Sequence, residues 1–346
     1  MPRDGLAEMA PDDRARMARR SIIFEGVKKA AEYAGLRQQR FILHNDGAAP
    51  ADSKVLIIVR HGEGMHNAWR AAEKAAGRTP TAKRHNRGEW PEELHDPLLT
   101  ERGVQDALTA AAAARQLEEQ PTLLVTSPMR RAVQTLMFAF GDASAAGVPI
   151  VAHELCREAF HGTDPSVYDS RLARSALQNA FPQVDFTSHV LEPEPPSNGV
   201  AAAVDESAAV DDPLWWHCSS PFGHVGPRGV DEAAIGEHAY RFLEWLMGRP
   251  ERVIAVATHS NFALALYHAC LDGAPDTPQV LHTGELRALT VSAVDANLAS
   301  TPAGATAAAG RGGLPRIDSR IFDEAMRGRA EERPGGAEPT VKKARR

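Results

Sequence analysis

Val55-Leu56-Ile57-Ile58-Val59 runs without a break into Arg60-His61-Gly62-Glu63-Gly64-Met65-His66-Asn67. Five apolar residues, four of them β-branched, predict a strand buried in the interior of a sheet. A cation, an imidazole and a glycine then stand at its carboxyl end, where open α/β sheets bind their ligands. An Arg-His pair is poor core material. At a strand end it suits an anionic ligand and an imidazole that attacks it.

Two more strand ends carry similar chemistry. Ala255-Val256-Ala257-Thr258 leads to His259-Ser260-Asn261-Phe262 and an apolar helix, Ala263 to Cys270. Leu123-Leu124-Val125-Thr126 leads to Ser127-Pro128-Met129-Arg130-Arg131-Ala132, then Gln134-Thr135. Together the three ends supply Arg60, His61, His259 and one of the arginines 130 and 131. Two guanidinium forks and the free N–H groups of a helix start would neutralise a phosphate dianion.

The rest of the chain sets limits on function. Its 346 residues allow one large domain or two small ones, and 43% hydrophobic with 24% charged residues is ordinary for a soluble globular protein. A net charge of -6 argues against an electrostatic nucleic-acid or membrane binder. Cys156, Cys218 and Cys270 lie far apart, with neither metal-type spacing nor a disulfide framework, so a reducing compartment is expected. No apolar run approaches the roughly 18–20 residues that span a bilayer. Acidic residues at 4, 8, 12 and 13 and the lack of an apolar h-region disfavour a secretory signal. A cytoplasmic location is the expectation.

Besides those three strands, Val148-Pro149-Ile150-Val151 reads as a strand, and Leu286 to Val294 as a last or edge strand. Helical segments lie between them: Gly103 to Glu119, Arg131 to Phe140, and Glu232 to Met247. Such alternation predicts an α/β fold with a largely parallel sheet. The core is expected to begin near residue 53, after a helical extension over residues 1–52. Residues 191–213, polar and Pro-rich, read as a mobile insertion into a domain spanning 53–295. Residues 296–346 read as a low-complexity, disordered tail with a basic end, Lys342 to Arg346. The basic run Lys83 to Arg87 reads as a solvated loop, and the pair Trp215-Trp216 as a loop anchor.

Four motifs in order carry a resemblance. They are Arg60-His61-Gly62-Glu63-x-x-x-Asn67, Asp96-Pro97-Leu98-Leu99-Thr100-x-x-Gly103, Ser127-Pro128-x-x-Arg131-Ala132-x-Gln134-Thr135, and Thr258-His259-Ser260. The chain resembles the histidine phosphatase superfamily, or phosphoglycerate mutase-like family, over roughly residues 53–295. Arg-His-Gly-Glu-Gly-x-His-Asn, Glu154-Leu155-Cys156-Arg157-Glu158 and Phe242-Leu243-x-Trp245-Leu246 make it look most like the eukaryotic phosphoglycerate mutase-like phosphatases. The resemblance implies a three-layer α/β/α sandwich with a largely parallel mixed sheet.

It also implies a mechanism that the residue types support. His61 would be the nucleophile, forming phosphohistidine and dividing one displacement into two. It must be neutral to attack, and nearby cations disfavour its protonation. Arg60, Arg131 and His259 would hold the phosphoryl oxygens, with Asn67 as a further donor or as a cap for the following helix. Glu158 is the candidate acid and base, with Glu154 the alternative. Arg131 is preferred to Arg130 on motif register, and His66 reads as a capping or loop-packing residue. No metal or other cofactor is needed, since guanidinium and imidazole supply the positive charge. Thr100 is expected to cap a helix, and Asp96-Pro97 to mark a turn.

The expected activity is phosphomonoester hydrolysis of a small phosphorylated substrate, such as a sugar phosphate or nucleotide. Two alternatives stand beside it: a phosphoglycerate mutase-type transferase, which needs a closed site, and a module that binds a phosphorylated ligand without turnover. Substrate identity and oligomeric state are not written in the sequence.

Overall fold

The computed structural model describes residues 39–45, 49–82, 88–158, 166–190, 232–274 and 280–295. Eight strands form one sheet: β1 (Gln39–His44), β2 (Lys54–Arg60), β3 (Leu123–Thr126), β4 (Ile150–Ala152), β5 (Val184–Asp185), β6 (Val253–Thr258), β7 (Leu271–Asp272) and β8 (Leu286–Asp295). Their spatial order is β5-β4-β3-β6-β2-β8-β1-β7. From β5 to β2 every neighbouring pair is parallel; β8 runs antiparallel to both β2 and β1, and β7 pairs parallel with β1. The sheet is therefore mixed but mostly parallel.

Because side chains alternate along a strand, β2 contributes to two cores. Leu56 and Ile58 face one, with Tyr240, Phe242, Leu243 and Leu246 of helix α6 (Glu232–Gly248) and the apolar residues of α7 (Ser260–Ala265). Ile57 and Val59 face the other, with residues of α2 (Glu101–Ala114), α3 (Arg130–Ala139) and α5 (Arg174–Ala180). Helices on both faces make three layers, and they explain why β2 reads as continuous apolar sequence rather than as alternation. Burial of each such side chain contributes roughly 1.5–3 kcal/mol. Helices α1 (Met65–Ala75) and α4 (Gly141–Ala145) complete the described set.

Topology then does something the linear sequence conceals. The strands whose ends carry the chemistry, β3, β6 and β2, are immediate neighbours. Their register brings the ends level, with Arg60 opposite Thr258 and Thr126 opposite Ala257. Backbone hydrogen bonds carry the pairing one residue further, from His61 N to Thr258 O at 2.9 Å and from Ser127 N to Ala257 O at 3.0 Å.

Several expectations change. The sheet starts before residue 53: β1 lies within the stretch read as a helical extension and packs between β8 and β7. Phe41 and Leu43 are buried, but an alternation this short, ending at Asn45, carries little signal. Strand β8 is not at an edge, since β1 covers it. The helix expected over Ala263 to Cys270 begins earlier and passes into a π-helical turn at Leu266–Cys270. Thr100 caps α2 by accepting the Gly103 N–H at 3.0 Å. Asp96 adopts φ 44° at the expected turn, and its carboxylate accepts the N–H groups of Arg130 and Leu172.

Residues 1–38, the basic run 83–87, the insertion 191–213, Trp215-Trp216 and the tail 296–346 lie outside the described residues. No helix among the described residues is long and apolar enough to cross a membrane.

Candidate active site

His61 follows β2 and is 2% exposed. Its Nδ1 lies 2.7 Å from the Gly62 carbonyl oxygen. A carbonyl only accepts, so the proton belongs on Nδ1 and the Nε2 lone pair is left for other chemistry. Burial first, then the charges of Arg131 and Arg60, holds the pKa well below the usual 6.5. The ring is neutral at pH 7.

His259 occupies the matching place after β6 and is fully buried. The two imidazoles stand edge to face with centroids 5.0 Å apart. His259 Nε2 is 2.8 Å from Ser127 Oγ, at the end of β3, while its buried Nδ1 has no hydrogen-bond partner. Burial, then Arg131, His61, His66 and Arg60, keeps this ring neutral too. Ser127 Oγ also accepts the Met129 N–H at 3.4 Å. Its own proton is free to go to Nε2, and in that arrangement the ring proton stands on Nδ1, the atom without a partner.

Arg131, in the first turn of α3, is 1% exposed. Its Nη1 donates to Tyr168 O at 2.6 Å and its Nη2 to Asp169 Oδ1 at 3.1 Å. Its Nε is buried without a partner. Arg130 turns away, donating from Nε to Asp96 O and from Nη2 to His95 O. Arg60 is half-buried and donates from Nη1 to Leu281 O at 2.9 Å. Its charge still acts on His61, His66 and His259.

Glu158 is half-buried, and its Oε1 accepts the Asn261 N–H at 3.2 Å, two residues beyond His259. Glu154 stands elsewhere: buried, it receives Arg171 Nε on Oε1 at 2.8 Å and Arg157 Nη1 on Oε2 at 3.3 Å. With an oxygen given to each guanidinium, Glu154 fits an internal ion cluster better than proton transfer. Asn67 does not precede the helix as expected but lies inside its first turn, where its Oδ1 accepts the N–H of the capping residue Gly64 at 3.0 Å.

Sequence reading did not bring His66 to this site. The structure buries it 5.8 Å from the His61 ring, stacked on Tyr168 at 5.0 Å. The second glycine of the first motif makes room for it, since a Cβ on Gly64 would lie 2.7 Å from His66 Nδ1. Ser127, Tyr168 and Asp169 were missed as well. Ser127 could have been found from its place at a strand end next to the other two. Tyr168 and Asp169 sit in a 3-10 turn, Val167–Asp169, with no periodicity to announce it.

Taken together, neutral imidazoles, buried guanidinium and two unpartnered nitrogens, Arg131 Nε and His259 Nδ1, make a pocket chemistry suited to an oxyanion. Comparison with known proteins agrees. Residues 56–166 match the model of the histidine phosphatase superfamily (branch 1). A phosphoglycerate mutase-like protein of Arabidopsis thaliana is 28% identical over 238 residues, 60% of this chain and 72% of the relative. A second from that plant, phosphoglycerate mutase-like protein 1, is 26% identical over 242 residues, 62% and 70% of the two chains. Among solved structures, the alpha-ribazole phosphatase of Shigella flexneri aligns with TM-score 0.39 and 16% identity over 70% of this chain and 96% of its own. Phosphoglycerate mutase of Thermus thermophilus aligns with TM-score 0.32 and 18% identity, over 68% and 91%. With four motifs in order and three of them meeting at adjacent strand ends, the chain carries a match to branch 1 of the histidine phosphatase superfamily over residues 56–166 and is distantly homologous to the plant phosphoglycerate mutase-like proteins.

Proposed function

We propose that the protein hydrolyses small phosphomonoesters, such as sugar phosphates or nucleotides, through a phosphohistidine on His61. The observation that carries this reading is the His61 ring: neutral, buried, and protonated on Nδ1 by its contact with Gly62 O. Nε2 is then a lone pair beside cations that would hold the group it attacks.

In the first step Nε2 attacks phosphorus in line, an N–P bond forms, and the P–O ester bond breaks. The leaving oxygen takes the proton of Glu158. Negative charge on the three peripheral oxygens is met by Arg60, by Arg131 through Nε, and by His259 through Nδ1–H. In the second step Glu158, now a carboxylate, takes a proton from water as its oxygen attacks phosphorus. The N–P bond breaks, inorganic phosphate leaves, and His61 returns to its neutral form. The positive charge that a metal would bring to such a transfer comes here from the side chains.

The test is hydrolysis of an aryl phosphate, with chelator present, by wild type and His61→Ala. Turnover that resists chelation and disappears in the variant, with acid-labile phosphate trapped on wild type alone, is expected. Equal turnover by the two proteins would sink the proposal. Adding a phosphoglycerate acceptor and following product distinguishes transfer from hydrolysis.

A further inference from the structure

Asp169 is a half-buried carboxylate, 15% exposed, that the reaction scheme above does not use. Burial raises its pKa, and the charges of Arg131, Arg70 and Arg157 oppose that rise. A carboxylate is costly to bury unless paired, and Asp169 is paired with the residue that the proposed mechanism aims at phosphate. Its Oδ1 accepts from Arg131 Nη2 at 3.1 Å, and the neighbouring Tyr168 carbonyl accepts from Nη1 at 2.6 Å. Two acceptors on two nitrogens fix the plane of the guanidinium as well as its position. Arg157 Nη2 in turn donates to Asp169 O at 3.0 Å, tying the turn to the Glu154 ion cluster.

We infer that Asp169 is a positioning residue: with the Tyr168 carbonyl it grips the far edge of the Arg131 guanidinium and turns the Nε edge toward the phosphoryl oxygens. The unpartnered, buried Nε is what such a grip would leave. The inference rests on the proposed phosphate-binding role of Arg131 and goes beyond it by naming what aims that residue.

The experiment measures tungstate affinity by calorimetry, which needs no turnover, in wild type, Asp169→Ala, Asp169→Asn, Arg131→Ala and the double variant Asp169→Ala/Arg131→Ala. Asp169→Ala is expected to weaken tungstate about tenfold or more. Asp169→Asn, which keeps an acceptor oxygen in reach of Nη2, should stay within about threefold of wild type. In the Arg131→Ala background, removing Asp169 should cost nothing further. Where Asp169→Ala does not fold, Asp169→Ser serves, since it keeps a hydroxyl in the buried space but cannot reach Arg131. Wild-type affinity in Asp169→Ala, or an equal loss with and without Arg131, overturns the inference and leaves a merely structural carboxylate. If Arg131→Ala itself binds tungstate like wild type, the phosphate role of Arg131 fails first, and this inference with it.

Discussion

Ser127 holds His259 through a 2.8 Å contact between Oγ and Nε2, and the consequence is chemical rather than structural. Without the hydroxyl, the neutral ring can carry its proton on either nitrogen, and only one of the two tautomers presents Nδ1–H to a phosphoryl oxygen. Thr135 does a comparable job for the backbone: its Oγ1 accepts the Gly62 N–H at 3.0 Å and donates to Arg131 O at 2.7 Å. The Ser of this motif thus supports the imidazole of the fourth motif, and its Thr the backbone that follows His61 in the first. A single neutral hydrogen bond is worth about 1 kcal/mol net, so Ser127→Ala should lower kcat roughly tenfold with little change in KM. His259→Ala removes the donor itself and should cost on the order of 10²–10³, as loss of one oxyanion donor does elsewhere. Steady-state kinetics of the two variants check this; equal losses would mean that Ser127 acts by some route other than His259.

Between elements, two glycines decide how close α2 comes to the loop after β2. A Cβ on Gly103 would lie 2.1 Å from Glu63 O, and one on Gly62 would lie 2.2 Å from Gly103 O. Both obstacles are backbone, so neither can step aside as a flexible side chain would. Gly103→Ala should therefore destabilise the protein by about 1–3 kcal/mol, in the range of overpacked sites. Activity should fall as well, because the displaced loop carries His61. Gly141→Ala, where a Cβ meets nothing within 4 Å, should be neutral or slightly stabilising. Urea midpoints of the two variants test the contrast, and a wild-type midpoint in Gly103→Ala would defeat it. Features that advertise themselves over a few consecutive residues were legible in the sequence: the apolar run of β2 ending at Arg60-His61, the Thr100 cap, the sheet's mostly parallel character. Gly103 was quotable as part of a motif, but its reason, a backbone-to-backbone contact across 40 positions of chain, was not. Strand β1 and Asp169 were illegible for a related cause. Each acquires its meaning only from partners far away in sequence, β1 from β8 and Asp169 from Arg131.

Across the whole molecule, the neutral histidines set a price for acid. His61, His66 and His259 are held well below 6.5 by burial above all. His153, stacked on His189 at 4.5 Å, is lowered to about 3, and His238 in α6 to about 4, again by burial first. In each case the folded pKa lies below the unfolded one, so between the two values the unfolded chain binds a proton that the native state refuses. Stability then falls as pH falls from about 6.5, by up to roughly 1.4 kcal/mol per ring for each pH unit. Asp96 and Asp169 work in the opposite direction. Burial raises their folded pKa above the usual 3.8, so they favour the native state as they take up protons. Among the described residues six such rings, His189 included, stand against two raised carboxyls and leave the net sign with the histidines. Unfolding free energy should drop steeply between pH 6.5 and 4.5, with uptake of several protons per molecule unfolded. Denaturant titrations across that range measure the slope, and His153→Phe, which keeps an aromatic ring in the stack but cannot titrate, should make it shallower by about one proton. A flat profile from pH 7 to 5 would mean that these rings are charged in the folded protein, and a neutral His61 nucleophile would go with it.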